Sequence, residues 1–257
     1  MINLALENLR EKFIETISTM NLPDFQVTVR ARPLTSQEAI GNPEHHDYPI
    51  QKGKERLMEA IYGNGKGVAF TDMFGDFDGT LSEILSMDLS NNFRRAILTS
   101  TMNAVLNHQG LIDKTSHCKD TGPGKCGLQV AEWVKTFILN SSNEKLKASL
   151  ETGGLKILLV GMQPRLLEGL SSEFDVRITD MDRENIGKVI NGVEVMDAGR
   201  TDECLQWCDM IMATGTTLVN DSADQFIRSG KPLVLYGVTC AAAAWMHDLP
   251  RYCPEGF

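Results

Sequence analysis

Lys156-Ile157-Leu158-Leu159-Val160-Gly161-Met162-Gln163-Pro164 is the stretch that decides the fold. Its apolar run is that of a parallel strand buried on both faces; Gly161 then permits a tight turn, and Pro164 suits the first turn of a following helix. Outward from it, strand-like runs recur at 176–180, 193–196, 209–213 and 232–237, separated by segments able to form helices. That rhythm predicts right-handed βα units on a parallel sheet, a Rossmann-like domain over residues 151–257. The polar connection from Ser141-Ser142-Asn143-Glu144 to Glu151-Thr152-Gly153-Gly154 marks the boundary.

Residues 1–150 read as a smaller α+β domain, so the whole chain is α/β. Leu6, Leu9, Phe13, Ile17 and Met20 are spaced for one face of a helix. Phe25, Val27 and Val29 alternate with polar residues, as in a half-buried strand. A polar loop follows at 41–47. Lys54 to Tyr62 is expected to be helical and to stop at Gly63-Asn64-Gly65, with a short buried strand at 67–71 and an acidic loop beyond it. Two more helices are expected at about 90–108 and 126–139, the second presenting Val130, Val134, Phe137 and Ile138 on one side.

Of the 257 residues, 42% are hydrophobic and 23% charged, a mixture that buries a core. The net charge of −9 offers no broad attraction to phosphate backbones or anionic lipid, which argues against nucleic-acid and membrane partners. No run approaches the roughly 18 apolar residues of a membrane span, and Glu7, Arg10, Glu11 and Lys12 break up the first segment. A cytoplasmic location is therefore expected, with the six cysteines serving as thiols or metal ligands rather than as a disulfide framework. The common serine-hydrolase, zincin and P-loop patterns do not occur. Asp72, Asp76 and Asp78 do not make a calcium loop, because Phe74 and Leu85 stand where ligands are required.

Open α/β sheets bind ligands beyond the carboxyl ends of their strands. At the first such end, the helix start after Gly161 and Pro164 could hold an anion, or be a plain strand-to-helix turn. Only the first glycine of a dinucleotide fingerprint is present, which weakens the case for NAD. At the second, Asp180 stands where a Rossmann acid meets ribose hydroxyls, so a nucleoside-containing ligand is allowed; the same stretch also suits a solvated helix start capped by Asp182. The third, Thr214-Gly215-Thr216-Thr217-Leu218-Val219-Asn220, packs hydroxyls, a glycine and an amide directly after an apolar strand, a set suited to a carboxylate or phosphate or to helix capping. Val238-Thr239-Cys240 brings a thiol toward the same edge.

In the first domain, His117-Cys118 and Cys126 frame a loop with two glycines and a proline. Thiolate and imidazole together suit a transition metal, with sulfur favouring the softer ions. A fourth donor is needed, and Cys240 across the cleft is the choice within this chain. Lys119 and Lys125 are expected to lower the thiol pKa values. Two unremarkable thiols flanking a turn, or a regulatory disulfide, remain open. Cys204 and Cys208 read as core, Cys253 as a tail thiol, and His45-His46 as an exposed pair.

Val160-Gly161-Met162-Gln163-Pro164 with Leu167 and Leu170, followed by Cys208 to Asn220, resembles the heavy-metal chelation domain family, whose name records an inference about metals rather than an established reaction. The resemblance implies a Rossmann-like carboxyl-terminal domain joined to a domain like the enolase amino-terminal fold, with the active site in the cleft between them. Segments 67–71 and 103–107 look like the matching amino-terminal parts. By resemblance, Gly161, Pro164, Thr214, Gly215, Thr216, Thr217 and Asn220 are cleft residues; His117, Cys118, Cys126 and Cys240 are proposed ligands on chemical grounds. The leading expectation is binding of a transition metal or an anionic metal complex in that cleft, with or without associated chemistry. The alternatives are a transferase or lyase using a nucleoside-containing ligand such as S-adenosylmethionine, and a metal-delivery or scaffold protein without turnover.

Overall fold

The computed structural model describes residues 2–20, 22–30, 37, 40–52 and 55–257. Two sheets organise them. The first is antiparallel, with strands β1 (Gln26–Arg30), β2 (Arg56–Tyr62), β3 (Gly65–Thr71) and β4 (Phe77–Thr80) in the order β3-β2-β1-β4. Ahead of it comes helix α1 (Leu6–Ser18), which buries Leu6, Leu9, Phe13 and Ile17 as their spacing predicts. The short α2 (Pro49–Lys52) lies between β1 and β2, and α3 (Leu81–Leu85) follows β4 behind a capping box at Thr80.

One expectation fails here. Arg56–Tyr62 is a strand rather than a helix, paired over seven positions with β3. Gly63-Asn64 is the turn of that hairpin, with Tyr62 opposite Gly65. The segment has residues of good helix propensity, but pairing on both sides and burial of Leu57, Met58, Ala60 and Tyr62 outweigh it. Lys54 lies outside the described residues. Strand β4, within the expected acidic loop, contains Asp78 and Gly79 and is recruited by pairing with β1.

Helix α4 (Asn92–His108) is the centrepiece of the first lobe. Residues 96–106 are all buried, as expected of a helix packed on every side. Its approach to β3 requires glycine: a Cβ on Gly67 would lie 2.3 Å from the carbonyl oxygen of Ser100 and 2.4 Å from the nitrogen of Ala104.

The second sheet has seven strands in the order β11-β10-β9-β5-β6-β8-β7. They are β5 (Lys156–Val160), β6 (Asp175–Asp180), β7 (Val189–Ile190), β8 (Val193–Asp197), β9 (Met210–Thr214), β10 (Leu233–Tyr236) and β11 (Arg251–Tyr252). All pair in parallel except the β7–β8 edge. The run β8-β6-β5-β9-β10-β11 is a doubly wound order, with its topological switch between β5 and β9. The deciding strand behaves as its composition dictates: Ile157 and Leu159 enter one core, Leu158 and Val160 the other.

Helices cover both faces. On one face lie α5 (Gly122–Asn140), α6 (Glu144–Glu151) and α7 (Pro164–Ser171). The cover of this face is thus drawn partly from ahead of residue 151. The other side carries α8 (Thr201–Trp207), α9 (Thr216–Val219), α10 (Asp224–Arg228) and α11 (Ala241–Met246), and its core is continuous with that around α4. No helix among the described residues is long and apolar enough to cross a membrane.

Asn103, fully buried on α4, ties the two lobes together. Its amide nitrogen donates to the carbonyls of Val68, Val238 and Thr239, at 3.0, 3.3 and 3.1 Å, and its oxygen accepts from the N–H of Ala242 at 2.8 Å. Asn103→Leu keeps the volume but removes every one of these bonds. With each buried group left unpaired costing about 1–3 kcal/mol, the variant should lose at least ~3 kcal/mol in urea unfolding.

Candidate functional site

A cavity of about 780 Å3 opens at the switch point between β5 and β9, and residues of both lobes line it. Gly161 (φ +89°) makes the meeting of the two strand ends possible, since a Cβ there would lie 2.7 Å from the methyl of Thr214. The Tyr236 hydroxyl sits beneath, donating toward the carbonyls of Val160 and Gly161 at 2.9 and 2.8 Å.

The sequence-predicted ligand residues divide. Gly161, Asp180, Thr214, Gly215, Thr216, Thr217 and Asn220 line the cavity; Pro164 does not. The helix start at Pro164 is closed by its own cap, Gln163, whose side-chain oxygen accepts from the Leu166 N–H at 2.7 Å. Asp180 holds the loops rather than presenting free oxygens: Oδ2 accepts from the Met162 N–H at 2.6 Å and Oδ1 from the Asp182 N–H at 2.7 Å. Burial nevertheless raises its pKa, outweighing those bonds. In the threonine run, Thr217 is buried and donates to the Thr214 carbonyl at 2.7 Å, whereas the hydroxyls of Thr214 and Thr216 pair at 3.2 Å on the cavity wall.

Sulfur gathers at one end. His117, Cys118 and Cys126 line the cavity, as does Cys253. Cys118 and Cys126 act directly on each other: their interaction, with the help of burial, raises the pKa of Cys118 and lowers that of Cys126. Lys114 also lowers Cys126, in place of the expected Lys119 and Lys125, which point into solvent. Sequence reasoning missed Cys253 because nothing local shows that the parallel strand β11 draws the tail back to the cavity. His117 donates from Nδ1 to the Cys118 carbonyl at 2.7 Å, and burial lowers its pKa, so Nε2 carries the lone pair. Its ring meets Phe70 edge-on, centroids 5.4 Å apart.

Cys240 stands apart. It does not line the cavity; it is fully buried, donating to the carbonyls of Tyr236 and Gly237 at 3.4 Å, and burial pushes its pKa up to about 12. Among the described residues, no three His, Cys, Asp or Glu side chains converge on a common metal position. Cys204 and Cys208 lie in the core, and His45 and His46 are exposed.

Carboxylates gather at the other end. Glu55, Asp72, Asp180, Asp182 and Glu184 line the cavity, with Arg183 among them. Glu55 was not singled out from the sequence, where it is an isolated acid between lysine and arginine. Burial, followed by the charges of Asp180, Asp72 and Asp182, pushes its pKa up to about 7.

The chain is thus a two-lobed α/β protein with a ligand-sized cavity at the switch point of a doubly wound sheet. Residues 146–250 match the family model described as "DUF364: Putative heavy-metal chelation". A DUF364-family protein of unknown function from Desulfitobacterium hafniense shares the fold with a TM-score of 0.52 at 15% identity, over 95% of this chain and 84% of that one. A DUF364 protein from Pyrococcus horikoshii, also of unknown function, gives 0.52 at 14% identity, over 91% and 79%. No match was found among curated proteins.

Glu55 links the site to stability. The folded chain holds this proton up to about pH 7, whereas the ordinary value is 4.5, so the folded state binds more protons in that window and loses stability as the pH rises through it. Glu55→Gln should therefore raise stability by roughly 3 kcal/mol at pH 8 and leave it unchanged at pH 4, as read by denaturant unfolding at the two pH values.

Proposed function

We propose that the cleft binds a thiophilic heavy-metal ion, free or as an anionic complex, through Cys118 and Cys126. The observation that carries this is the pair of interacting thiols, Cys118 and Cys126, on the wall of a cavity shared by both lobes. Two adjacent thiols with one proton already weakly held are suited to a soft ion that accepts few donors. The absence of a third converging donor among the described residues argues against a closed tetrahedral centre and for an ion that arrives with a ligand of its own. His117, with its Nε2 lone pair, is the nearest nitrogen donor in sequence, and the hydroxyls of Thr214 and Thr216 are suited to the anionic part of a complex. Cys240 is left out, as its thiol bonds backbone carbonyls in the core.

Binding of this kind serves a delivery protein as well as an enzyme. The family description supports heavy-metal chelation in general and names no ion.

Titration with Cu(I) against a competing chelator should give one tight site per chain. Cys118→Ser and Cys126→Ser should each weaken it by roughly 100-fold, the scale expected when one of two sulfur donors is lost. Undiminished affinity in both variants would remove the cysteine pair from the site.

A further inference from the structure

The six cysteines are all free thiols, and the fold sorts them into two groups. Cys204, Cys208 and Cys240 lie in the core, where their thiols donate to the Met196 sulfur and to the carbonyls of Leu205 and Tyr236. Cys118, Cys126 and Cys253 line the cavity, where a small molecule can reach them.

Within the second group, the start of α5 brings Cys118 and Cys126 together. Cys118 stands on the loop ahead of the helix and lies against Gly122: a Cβ there would be 2.8 Å from the Cβ of Cys118 and 3.5 Å from its sulfur. Only glycine leaves room for that approach. Cys126 is one turn further along α5, and residues four apart share a helix face. Cys118 therefore rests on the face that carries Cys126, and it packs against the same apolar cluster that buries Cys126. The helix fixes Cys126, whose carbonyl also accepts from the Tyr252 hydroxyl. Cys118 lies outside the helical ladder, so its loop can adjust to the narrow geometry that a bond between the two sulfurs demands.

We infer that Cys118 and Cys126 are a redox site, which reduces a low-molecular-weight disulfide and closes into an intramolecular disulfide that withdraws both sulfurs from metal binding. The withdrawal rests on the metal-binding reading above; the exchange does not. One thiol, as its thiolate, attacks a sulfur of the small disulfide R–S–S–R and expels RS⁻, leaving a mixed disulfide on the protein. The second thiol gives its proton to solvent, attacks the protein sulfur of that mixed disulfide and expels the other RS⁻. The protein thus loses two electrons and two protons, and R–S–S–R becomes two RSH.

The test uses the full chain, freed of metal and kept in chelator. It is incubated with oxidised glutathione, quenched in acid, digested without reduction and mapped by mass spectrometry. The expected product has lost two hydrogens to a bridge between Cys118 and Cys126, with Cys204, Cys208 and Cys240 still thiols, and reduced glutathione restores it. Of Cys118→Ser and Cys126→Ser, at least the variant that keeps the attacking thiol should stop at the mixed disulfide with glutathione. The oxidised chain should bind Cu(I) roughly 100-fold more weakly than the reduced one. The inference is overturned if no bridge forms at millimolar oxidised glutathione, if the bridge takes in Cys253 or a core cysteine, if neither single variant carries glutathione, or if the oxidised chain binds Cu(I) as tightly as the reduced. Because oxidation is read without metal, a chain that forms the bridge yet binds no Cu(I) when reduced removes the metal reading alone. A chain that binds Cu(I) through both thiols yet forms no bridge removes the redox reading alone.

Discussion

One buried amide decides how the lobes meet. Asn103 serves three carbonyls with the two hydrogens of its nitrogen and takes a backbone N–H on its oxygen, a combination that a carboxylate or an apolar side chain of the same size does not offer. Its partners lie on β3 and on the link from β10 into α11, so the first sheet is held against the carboxyl end of the second. The cavity is what remains between them. Phe70, next along β3, donates its N–H to the Thr239 hydroxyl at 3.2 Å and fixes the same edge a second time.

The sulfur and carboxylate ends of the cavity are governed by the same physics with opposite outcomes. Burial disfavours charge at both. At Cys126 a neighbouring thiol and Lys114 overcome that penalty, whereas at Glu55 the nearby acids add to it. The cleft therefore holds one group readier than usual to lose a proton and one more reluctant.

The centre of the parallel sheet was legible because β5, β9 and β10 are buried on both faces, so each reads as a continuous apolar run without reference to its neighbours. Helix α1 was legible for a similar reason, its buried face being written at intervals of three and four. The strand Arg56–Tyr62 was not, since its state depends on partners in β1 and β3 rather than on its own propensity. The same distinction divides the cavity. The threonine run and the His117-Cys118 loop stand out locally, and the fold brings them to one cavity. Glu55 and Cys253 reach it only through sheet pairing distant in sequence, and Cys240, local in its promise, is turned into the core by the helix that follows it.

Each lobe grips a piece of the other. The N–H of Leu6, the first residue of α1, donates to Asp221 and that of Leu4 to Asp224, while Ser116 and Phe257 exchange backbone hydrogen bonds and Arg251 donates to the carbonyls of Asp113 and Lys114. During synthesis, then, the early half emerges before the groups that complete it exist. Its central helix waits with Asn103 short of all its partners but Val68 until residues 238–242 have left the ribosome, and the interval leaves apolar surface open to wrong partners. A chaperone's attention would be concentrated in that window rather than spread over the whole of translation.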